Sequence, residues 1–347
     1  MLSAVDPGSY RSVIFGLEGP RLSAAEREFF TAEPPFGFIL FARNVEDPAQ
    51  LRELVRSLRD VTGRAATPIL IDQEGGRVQR LRAPHWFEAR PFGFFGELYA
   101  RDAERAIEML RLTTRLIAAD LREAGISVDC TPCLDLRLPE TVGAIGDRAF
   151  AADPNIVARL GAVVAEELLK AGILPVIKHL PGHGRATVDS HLELPHVATP
   201  REELGRMDFM PFHLLSPLPW AMTSHIVFSD IDPAQPATHS KTIIDEIIRG
   251  EIGFNGLLLS DDINMQALAG SLGARAAKAL AAGVDIVLHC SGRLEEMHEV
   301  AACCPPPGEA TRARIDQGER IQSSGTGPLD READSVRLAE LLAEGIV

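Results

Sequence analysis

Eight short runs of β-branched and other apolar residues recur along the 347-residue chain, and an amphipathic segment follows each of them. Strict alternation of strand and helix patterns predicts a parallel sheet, which either closes into a (β/α)8 barrel or stays open with helices on both faces. No Gly-x-Gly-x-x-Gly string follows the first run, so the open form lacks its usual dinucleotide-binding motif. We therefore predict an α/β fold consisting of one (β/α)8 TIM-type barrel. The predicted strands are Ser12–Leu17, Gly37–Phe41, Thr67–Asp72, Ser127–Cys130, Leu174–Lys178, Ala221–Ser224, Gly256–Ser260 and Asp285–His289.

Local signals mark the ends of the helices between these strands. Ser23 precedes Glu26 by three residues, which is the spacing of a capping box, and Asp153 before Pro154 suits an N-cap followed by a first-turn proline. Glycines suited to a left-handed C-cap follow three further segments, at Gly125, Gly172 and Gly283. The predicted helices are Ser23–Ala32, Pro48–Thr62, Arg101–Ala124, Pro154–Ala171, Arg201–Leu215, Lys241–Glu251, Gly273–Ala281 and Leu294–Ala301.

The chain divides into a catalytic barrel over residues 1–300 and a C-terminal tail over residues 301–347. From Pro305 to about Pro328 the tail is a stretch that bears Pro, Gly and Ser, and a last helical pattern covers Arg331–Glu344. We expect this tail to pack on or near the barrel rather than form a second domain.

Composition and charge exclude several classes of protein. Hydrophobic residues make up 46% of the chain and charged residues 24%, so the chain can bury a large core. A formal net charge of -14 disfavours nucleic acid as a partner, because binding the phosphate backbone needs a basic surface. The chain begins without the basic and apolar leader of a secreted protein, and no run approaches the roughly 18 apolar residues of a membrane span. We expect a soluble, cytoplasmic monomer with no membrane contact.

The five cysteines fit that compartment, because an odd number without a leader argues against a disulfide framework. Cys130 and Cys133 have the CxxC spacing of a redox pair. The alternative, which we favour, is two small apolar residues at a strand end, since no second CxxC completes a zinc site.

Polar residues follow five of the predicted strands. In a (β/α)8 barrel the active site lies at the C-terminal ends of the strands, so these residues converge on one mouth. Each residue alone could cap a helix or sit on the surface, but five such clusters at one end indicate a site. The clusters are Asp72-Gln73-Glu74 through Arg80, Asp135 with Gly146-Asp147-Arg148, Lys178-His179, Thr223-Ser224-His225 and Ser260-Asp261-Asp262.

The residue types suggest glycoside chemistry. A carboxylate at a barrel mouth, such as Asp261, can attack an anomeric carbon and form a covalent glycosyl-enzyme. Asp189 and His191 face the same side of an extended segment, so the carboxylate can orient the imidazole for proton transfer near neutral pH. Lys178 and His179, together with Asp72 and the arginines, can hold sugar hydroxyls. For His183, His196 and His225 a structural role is favoured.

Six strings in this chain resemble those of glycoside hydrolase family 3, in its single-domain bacterial β-N-acetylhexosaminidase branch. They span most of the chain up to about residue 290, and the tail beyond residue 300 carries no matching string. They are Gly-Phe-Ile-Leu-Phe at 37–41, Asp-Gln-Glu-Gly-Gly-Arg-Val at 72–78, Gly-Asp-Arg-Ala-Phe at 146–150, Lys-His-Leu-Pro-Gly-His-Gly at 178–184, Val-Asp-Ser-His at 188–191 and Leu-Ser-Asp-Asp-Ile-Asn-Met at 259–265.

The resemblance implies roles for the matched residues. Asp261 matches the family's nucleophile, His191 its histidine acid/base and Asp189 the carboxylate paired with that histidine. The resemblance also implies removal of terminal N-acetylglucosamine from muropeptide fragments during cell-wall recycling, with no metal or organic cofactor. Arg185 departs from the family, in which an acidic residue is common. Positions that match the family's binding site for the terminal sugar are Asp72, Arg80, Arg148, Lys178 and His179.

Other reactions fit parts of the same pattern. A glycoside phosphorylase of the same family would use phosphate in place of water as the acceptor. A class I aldolase would form a Schiff base on Lys178 but would leave Asp189, His191 and Asp261 without a role. A metal hydrolase would use His179, His183 and Asp261, although Pro-Gly between the two histidines disfavours a helical pair of ligands. A sugar-binding protein without catalysis would need no nucleophile.

Overall fold

A computed structural model of the chain describes residues 10–190, 192–325 and 327–344. Eight parallel strands close into a barrel in which each strand pairs with the next barrel strand along the chain, and the last pairs with the first. The (β/α)8 prediction is therefore confirmed, and all eight predicted strands are present within a few residues of their expected bounds. The barrel strands are β1 (Arg11–Phe15), β2 (Pro35–Leu40), β3 (Ile69–Ile71), β4 (Val128–Asp129), β5 (Leu174–Leu180), β7 (Trp220–Thr223), β9 (Leu257–Asp262) and β10 (Ile286–His289), while β6 (His196–Val197) and β8 (Val227–Phe228) form a separate parallel pair.

Helices surround the barrel and connect its strands. They are α1 (Ala24–Ala32), α2 (Pro48–Thr62), α3 (Phe92–Tyr99), α4 (Ala103–Ala124), α5 (Pro154–Lys170), α6 (Arg201–Arg206), α7 (Met210–Leu214), α8 (Leu272–Ala282), α9 (Leu294–Cys303), α10 (Glu309–Ser324) and α11 (Arg331–Ala343). A π-helix covers Ile243–Glu251, and short 3-10 helices cover Ala42–Asn44, Gly146–Arg148 and Ala237–His239. No helix in the described part of the chain is long and apolar enough to cross a membrane.

The predicted helix ends agree with the observed ones. Ser23 and Glu26 form a capping box at the start of α1, and Asp153 caps α5 ahead of Pro154. Gly125 and Gly283 end α4 and α8 in the left-handed conformation, with φ of 78° and 116°. These caps satisfy backbone groups that the helix itself leaves without partners.

The single helix predicted for Arg201–Leu215 is wrong. The segment forms α6 and α7, with Met207–Phe209 between them, and Pro211 stands in the first turn of α7. A proline lacks the amide hydrogen and favours the first turn of a helix, so a new helix begins there. The break places Asp208 between two helices, where its side chain is buried.

Apolar side chains fill the lower part of the barrel. Along each strand every second residue points inward, so Leu174 and Val176 of β5 face the axis, as do Leu257 and Leu259 of β9. Trp220 is fully buried in the same interior cluster. The barrel is therefore a packed core below its mouth, and a cleft can form only at the upper end.

Helix α10 closes the bottom of the barrel, within the stretch bearing Pro, Gly and Ser for which the sequence predicts no helix. Ile315 joins the interior cluster, and Gly318 lies against the indole of Trp220. Buried Asp285 ties the helix to the barrel, since its Oδ1 accepts a hydrogen bond of 2.7 Å from Arg314 and its Oδ2 one of 2.9 Å from Arg249. The last helix, α11, packs on α4, where Arg115 and Asp334 form an ion pair of 2.9 Å.

We expect Gly318→Ala to lower the free energy of unfolding by about 1–3 kcal/mol, because a β-carbon there would lie 2.5 Å from Nε1 of the buried Trp220. Gly19→Ala is the matched control, since no atom lies within 4 Å of the added carbon. Chemical denaturation of both variants measures the difference. Equal stability of the two would show that α10 does not seal the barrel tightly.

Candidate active site

A cleft of about 300 Å³ opens at the C-terminal mouth of the barrel. Inward-facing positions on three strands lead directly into it. Lys178 continues the inward series of Leu174 and Val176 on β5, Asp261 continues that of β9, and Asp72 follows inward Leu70 of β3. Seven of the predicted site residues line this cleft, and the eighth, His191, lies outside the described residues. The seven are Asp72, Arg80, Arg148, Lys178, His179, Asp189 and Asp261.

A larger and more open groove of about 610 Å³ lies on the outer surface, between the last turns of α2 and α4. Its arginines are engaged locally. Arg59 donates to the carbonyl oxygen of Gly125 at 2.7 Å, and Arg52 forms an ion pair of 3.3 Å with Glu123. We place the functional site in the smaller cleft, because charged groups from several strands converge there at the end of the barrel where active sites of this fold lie.

Five charged side chains form a network on one wall of the cleft. The Lys178 ammonium lies 2.8 Å from Oδ1 of Asp72 and 2.7 Å from Oε1 of Glu74. Arg148 donates to both carboxylate oxygens of Glu74, at 2.9 and 2.7 Å. Arg80 donates to the other oxygen of Asp72 at 3.1 Å. The network fixes the direction of each group before any ligand arrives.

The network also fixes protonation states. Burial favours the neutral form of Glu74, but Arg148 and Lys178 outweigh it and lower the pKa of this carboxyl to about 2. Burial likewise opposes the charge on Lys178, and Asp72 and Glu74 overcome it, raising the pKa of the amine above its usual range. A Schiff-base lysine must lose its proton to attack a carbonyl, so this environment argues against the aldolase alternative.

Glu74 is the main site residue that the sequence analysis did not assign. It lies two positions after Asp72, so in an extended segment both face the same side. The spacing is a signal for a role in the site, because two buried carboxylates need cations and the sequence places Lys178 and Arg148 at the same mouth of the barrel.

Asp135 organises the two histidines after β5. One of its oxygens accepts the backbone N–H of His183 at 2.6 Å, and the other lies 2.6 Å from Nδ1 of His179. A carboxylate can only accept while ionised, so Nδ1 of His179 carries a proton and the opposite edge of the ring is left for the cleft. The Cys133 thiol also donates to Asp135, at 3.2 Å.

Cys133, Asp135 and His179 are also a group of metal-ligand type, with ligand atoms within 4.8 Å of one another. Their atoms are already joined by hydrogen bonds through Asp135, and burial raises the pKa of the Cys133 thiol well above its usual range. A metal ligand must be a thiolate, so this set fits a hydrogen-bonded cluster better than a metal site. The trio proposed for a metal hydrolase, His179, His183 and Asp261, is not such a group among the described residues.

At the end of β9 the two neighbouring carboxylates differ in their surroundings. Asp261 lines the cleft, and its Oδ1 accepts the backbone N–H of Asp262 at 2.8 Å. Oδ1 of Asp262 accepts the backbone N–H groups of Asn264 and Cys290, each at 3.1 Å. Burial, aided by the charge of Asp261, raises the pKa of Asp262 to about 6. Asp262 thus hydrogen-bonds to the backbone of the neighbouring loops, whereas Asp261, like Leu257 and Leu259 before it, points toward the barrel axis and lines the cleft.

His225 supports the same strand end. Its Nε2 lies 3.0 Å from the carbonyl oxygen of Asp262, which can only accept, so this nitrogen carries the proton. Its Nδ1 lies 2.7 Å from the hydroxyl of Thr238. Burial lowers the pKa of His225, in keeping with the structural role favoured for it.

The loop from Gly182 to Ser190 brings Asp189 to the cleft. His183 links its two ends, since Nε2 of His183 lies 3.1 Å from the hydroxyl of Ser190. The carbonyl oxygen of Ser190 accepts the backbone N–H of Ala267 at 3.3 Å. Burial lowers the pKa of His183 to about 4, so its ring is neutral near pH 7.

Comparisons with known proteins agree with the geometry. A family model described as "Glycosyl hydrolase family 3 N terminal domain" matches residues 11–323, which extends the likeness past residue 300 and into α10. The "Beta-hexosaminidase" of Alkalilimnicola ehrlichii is 38% identical over 307 residues, covering 87% of each chain. That of Bordetella avium is 36% identical over 83% of this chain and 82% of its own. The structure of NagZ from Neisseria gonorrhoeae in complex with N-trifluoroacetyl-D-glucosamine has a TM-score of 0.85 and 29% identity, covering 96% of this chain and 98% of that one.

Glu74→Gln should lower the free energy of unfolding by about 3–5 kcal/mol, because it leaves Arg148 and Lys178 buried without one of their counter-charges. Glu53→Gln is the matched control, since Glu53 pairs with Arg56 on the exposed surface of α2, and we expect no measurable change there. Chemical denaturation checks both. A stable Glu74→Gln protein would contradict the inference that the network's charges depend on one another.

The same pair of proteins should differ in pH dependence. The lowered pKa of Glu74, about 2, means that its contribution to stability is complete above the unfolded value of 4.5 and is lost as the pH falls toward 2. The stability difference between wild type and Glu74→Gln should therefore be constant above about pH 5 and shrink below pH 4.5. Denaturation curves between pH 7 and pH 3 measure it, and a constant difference throughout would contradict the prediction.

Proposed function

Because the chain belongs to glycosyl hydrolase family 3, we propose that it is a retaining exo-β-N-acetylglucosaminidase. Its relatives named beta-hexosaminidase, similar over more than four-fifths of both chains, support action on β-N-acetylhexosamine glycosides. The observation that carries the finer proposal is the position of Asp261, which enters a narrow cleft from the end of β9 and shares it with the network around Lys178.

The cleft suits a single terminal sugar. About 300 Å³ is at the lower end of the range for small-molecule sites, and the apolar barrel interior closes it from below. A neutral sugar needs several directed hydrogen bonds, which charged partners make strongly. Asp72 accepts from sugar hydroxyls, while Arg80, Arg148 and His179 contribute to the walls of the pocket. Because Lys178 and Glu74 already hold these groups in place, binding costs little side-chain entropy.

The proposed reaction has two steps. Asp261 attacks the anomeric carbon while His191, oriented by Asp189, gives a proton to the departing oxygen, and the bond to the aglycone breaks. The neutral imidazole then takes a proton from water as the water attacks the glycosyl-aspartate ester, which frees the sugar with its configuration retained. His183 is a poor candidate for the acid, because its pKa of about 4 leaves it unprotonated near pH 7.

The biological substrate we propose is a peptidoglycan fragment with a terminal N-acetylglucosamine, processed by a monomeric enzyme in the cytoplasm. The five cysteines of the described residues are all free, which suits a reducing compartment. No cofactor enters the proposed chemistry, since the nucleophile and the proton donor are both side chains.

The purified protein should release p-nitrophenol from the β-N-acetylglucosaminide and far more slowly from the β-glucoside. Asp261→Ala should reduce turnover by roughly 10³–10⁵-fold, whereas Asp262→Asn, which keeps an acceptor oxygen for Asn264 and Cys290, should retain most of it. Folded protein without turnover of the acetylated substrate would refute the proposal. Assays with and without inorganic phosphate, with the sugar product identified, separate hydrolysis from the phosphorylase alternative.

Mass spectrometry after reaction with a 5-fluoro glycosyl fluoride should locate the sugar on Asp261. His191→Ala should slow release of poor leaving groups by roughly 10²–10⁴-fold and activated aryl groups much less, because only the former need a proton. A label on Asp262, or equal losses for both kinds of leaving group, would count against the assigned roles.

A further inference from the structure

Arg185 lies in the loop that carries Asp189, but its side chain points away from the cleft and is only 14% exposed. Its Nε donates to Oδ2 of Asp208 at 2.7 Å, and its Nη2 lies 2.8 Å from Oε1 of Glu203. Glu203 belongs to α6, and Asp208 lies between α6 and α7. Arg185 therefore joins the loop to the two helices that follow β6, a segment outside the barrel wall.

We propose that Arg185 is a positioning residue, which anchors the loop so that Asp189 stays at the cleft that Asp72, Lys178 and Asp261 line. The proposal rests on the proposed function, because it assigns a task to the loop that carries the proton donor.

The strength of the anchor comes from the burial of Asp208, whose side chain is 2% exposed. Burial raises the pKa of this carboxyl, and Arg185 opposes that shift. A buried carboxylate with an arginine partner holds that partner firmly, because separating the two would leave a charge without compensation. Glu203 is 48% exposed, so its ion pair with Arg185 adds much less.

Other contacts hold the first part of the loop, residues 182–186. A β-carbon at Gly182, where φ is 144°, would lie 3.1 Å from Cβ of Asp208, so the loop already packs closely on this residue before Arg185 reaches it. The carbonyl oxygen of Ala186 accepts the backbone N–H of Val142 at 3.0 Å. Asp189 is only three residues beyond Ala186. Holding residues 182–186 in place therefore limits the positions that Asp189 can reach.

The other end of the loop is held at Ser190, whose hydroxyl contacts His183 and whose carbonyl oxygen accepts the backbone N–H of Ala267. Between the two anchored points lie Thr187, Val188 and Asp189. A segment fixed at both ends and short in the middle can shift only by small amounts, and a displacement of about 1 Å in a proton donor can cost on the order of 10²-fold in rate. Arg185, with two carboxylate partners and no place in the cleft lining, acts by holding the loop rather than by touching the substrate.

The direct test is the double variant Arg185→Met/Asp208→Asn, which removes the ion pair without leaving a buried charge. We expect kcat/KM for a glycoside with a poor leaving group to fall roughly 10- to 100-fold, and that for an activated aryl glycoside to change less than about threefold. The control is Arg206→Met, which breaks an exposed ion pair on α6 with Glu202 and should change neither substrate.

Arg185→Lys tests the same idea in a protein that keeps the charge. It should recover part of the loss, because an ammonium can still meet Asp208 but cannot span both carboxylates. Peptide-level hydrogen exchange should be faster in the segment 185–192 of the double variant and unchanged in the barrel strands. This readout does not depend on catalysis and is available even if the double variant is poorly active.

Equal loss on both substrates, or unchanged kinetics together with unchanged exchange in 185–192, would overturn the positioning role. If the double variant does not fold, the single variant Arg185→Met, which removes the ion pair with Asp208, decides: wild-type leaving-group dependence together with wild-type exchange in 185–192 would overturn the proposal. Failure of the proposed function has a different signature. Wild type would then lack turnover of the acetylated substrate, or Asp261→Ala would keep it, whatever the behaviour of the Arg185 variants.

Discussion

A single buried ammonium, that of Lys178, is the charge on which the mouth of the barrel depends. Removing a lysine from water is costly, and here two carboxylates, Asp72 and Glu74, offset the cost at 2.8 and 2.7 Å. Neither carboxylate could be buried without a cation, and Glu74 needs Arg148 as well. These ion pairs therefore hold three segments in one geometry: the end of β5, the segment after β3 and the short helix at Gly146–Arg148.

The two ends of the barrel differ in what fills them: apolar side chains at the lower end and charged side chains at the upper end. The lower interior is apolar and is closed by α10, with Ile315 inside and Gly318 against Trp220. This packing provides stability that is independent of the site. The upper end holds charges whose net contribution to stability is small but whose directions are fixed. A rigid, already paired set of groups is what a pocket for a neutral sugar requires, because the groups need no reorganisation when the sugar enters.

The fold was predictable from the chain because its eight apolar runs differ clearly from the amphipathic segments between them. Helix α10 was not, since only Ile315 and Gly318 among its residues are buried and so leave little periodic signal. Residues at strand ends could be assigned to one mouth because the topology brings them together. Their pairings could not, because the partner of Arg185 is Asp208, which is 23 positions away and is placed there by a helix break at Pro211.

The loop after β5 contains histidines in contrasting positions, and the contrast bears on which one can move a proton. His183 is buried, is joined to Ser190 and has a pKa lowered to about 4, so near pH 7 it serves as a neutral link. An acid/base group must instead reach both states near neutrality, which requires access to solvent and a nearby carboxylate. Asp189 brings such a carboxylate to the cleft, one residue before the loop is fixed again at Ser190. The groups proposed to hold the sugar thus lie at or just beyond the ends of strands, or on the short helix at Gly146–Arg148, and are fixed by charge. The group proposed to move the proton lies on a short loop, where small displacements are allowed and an anchor such as Arg185 can set their limit.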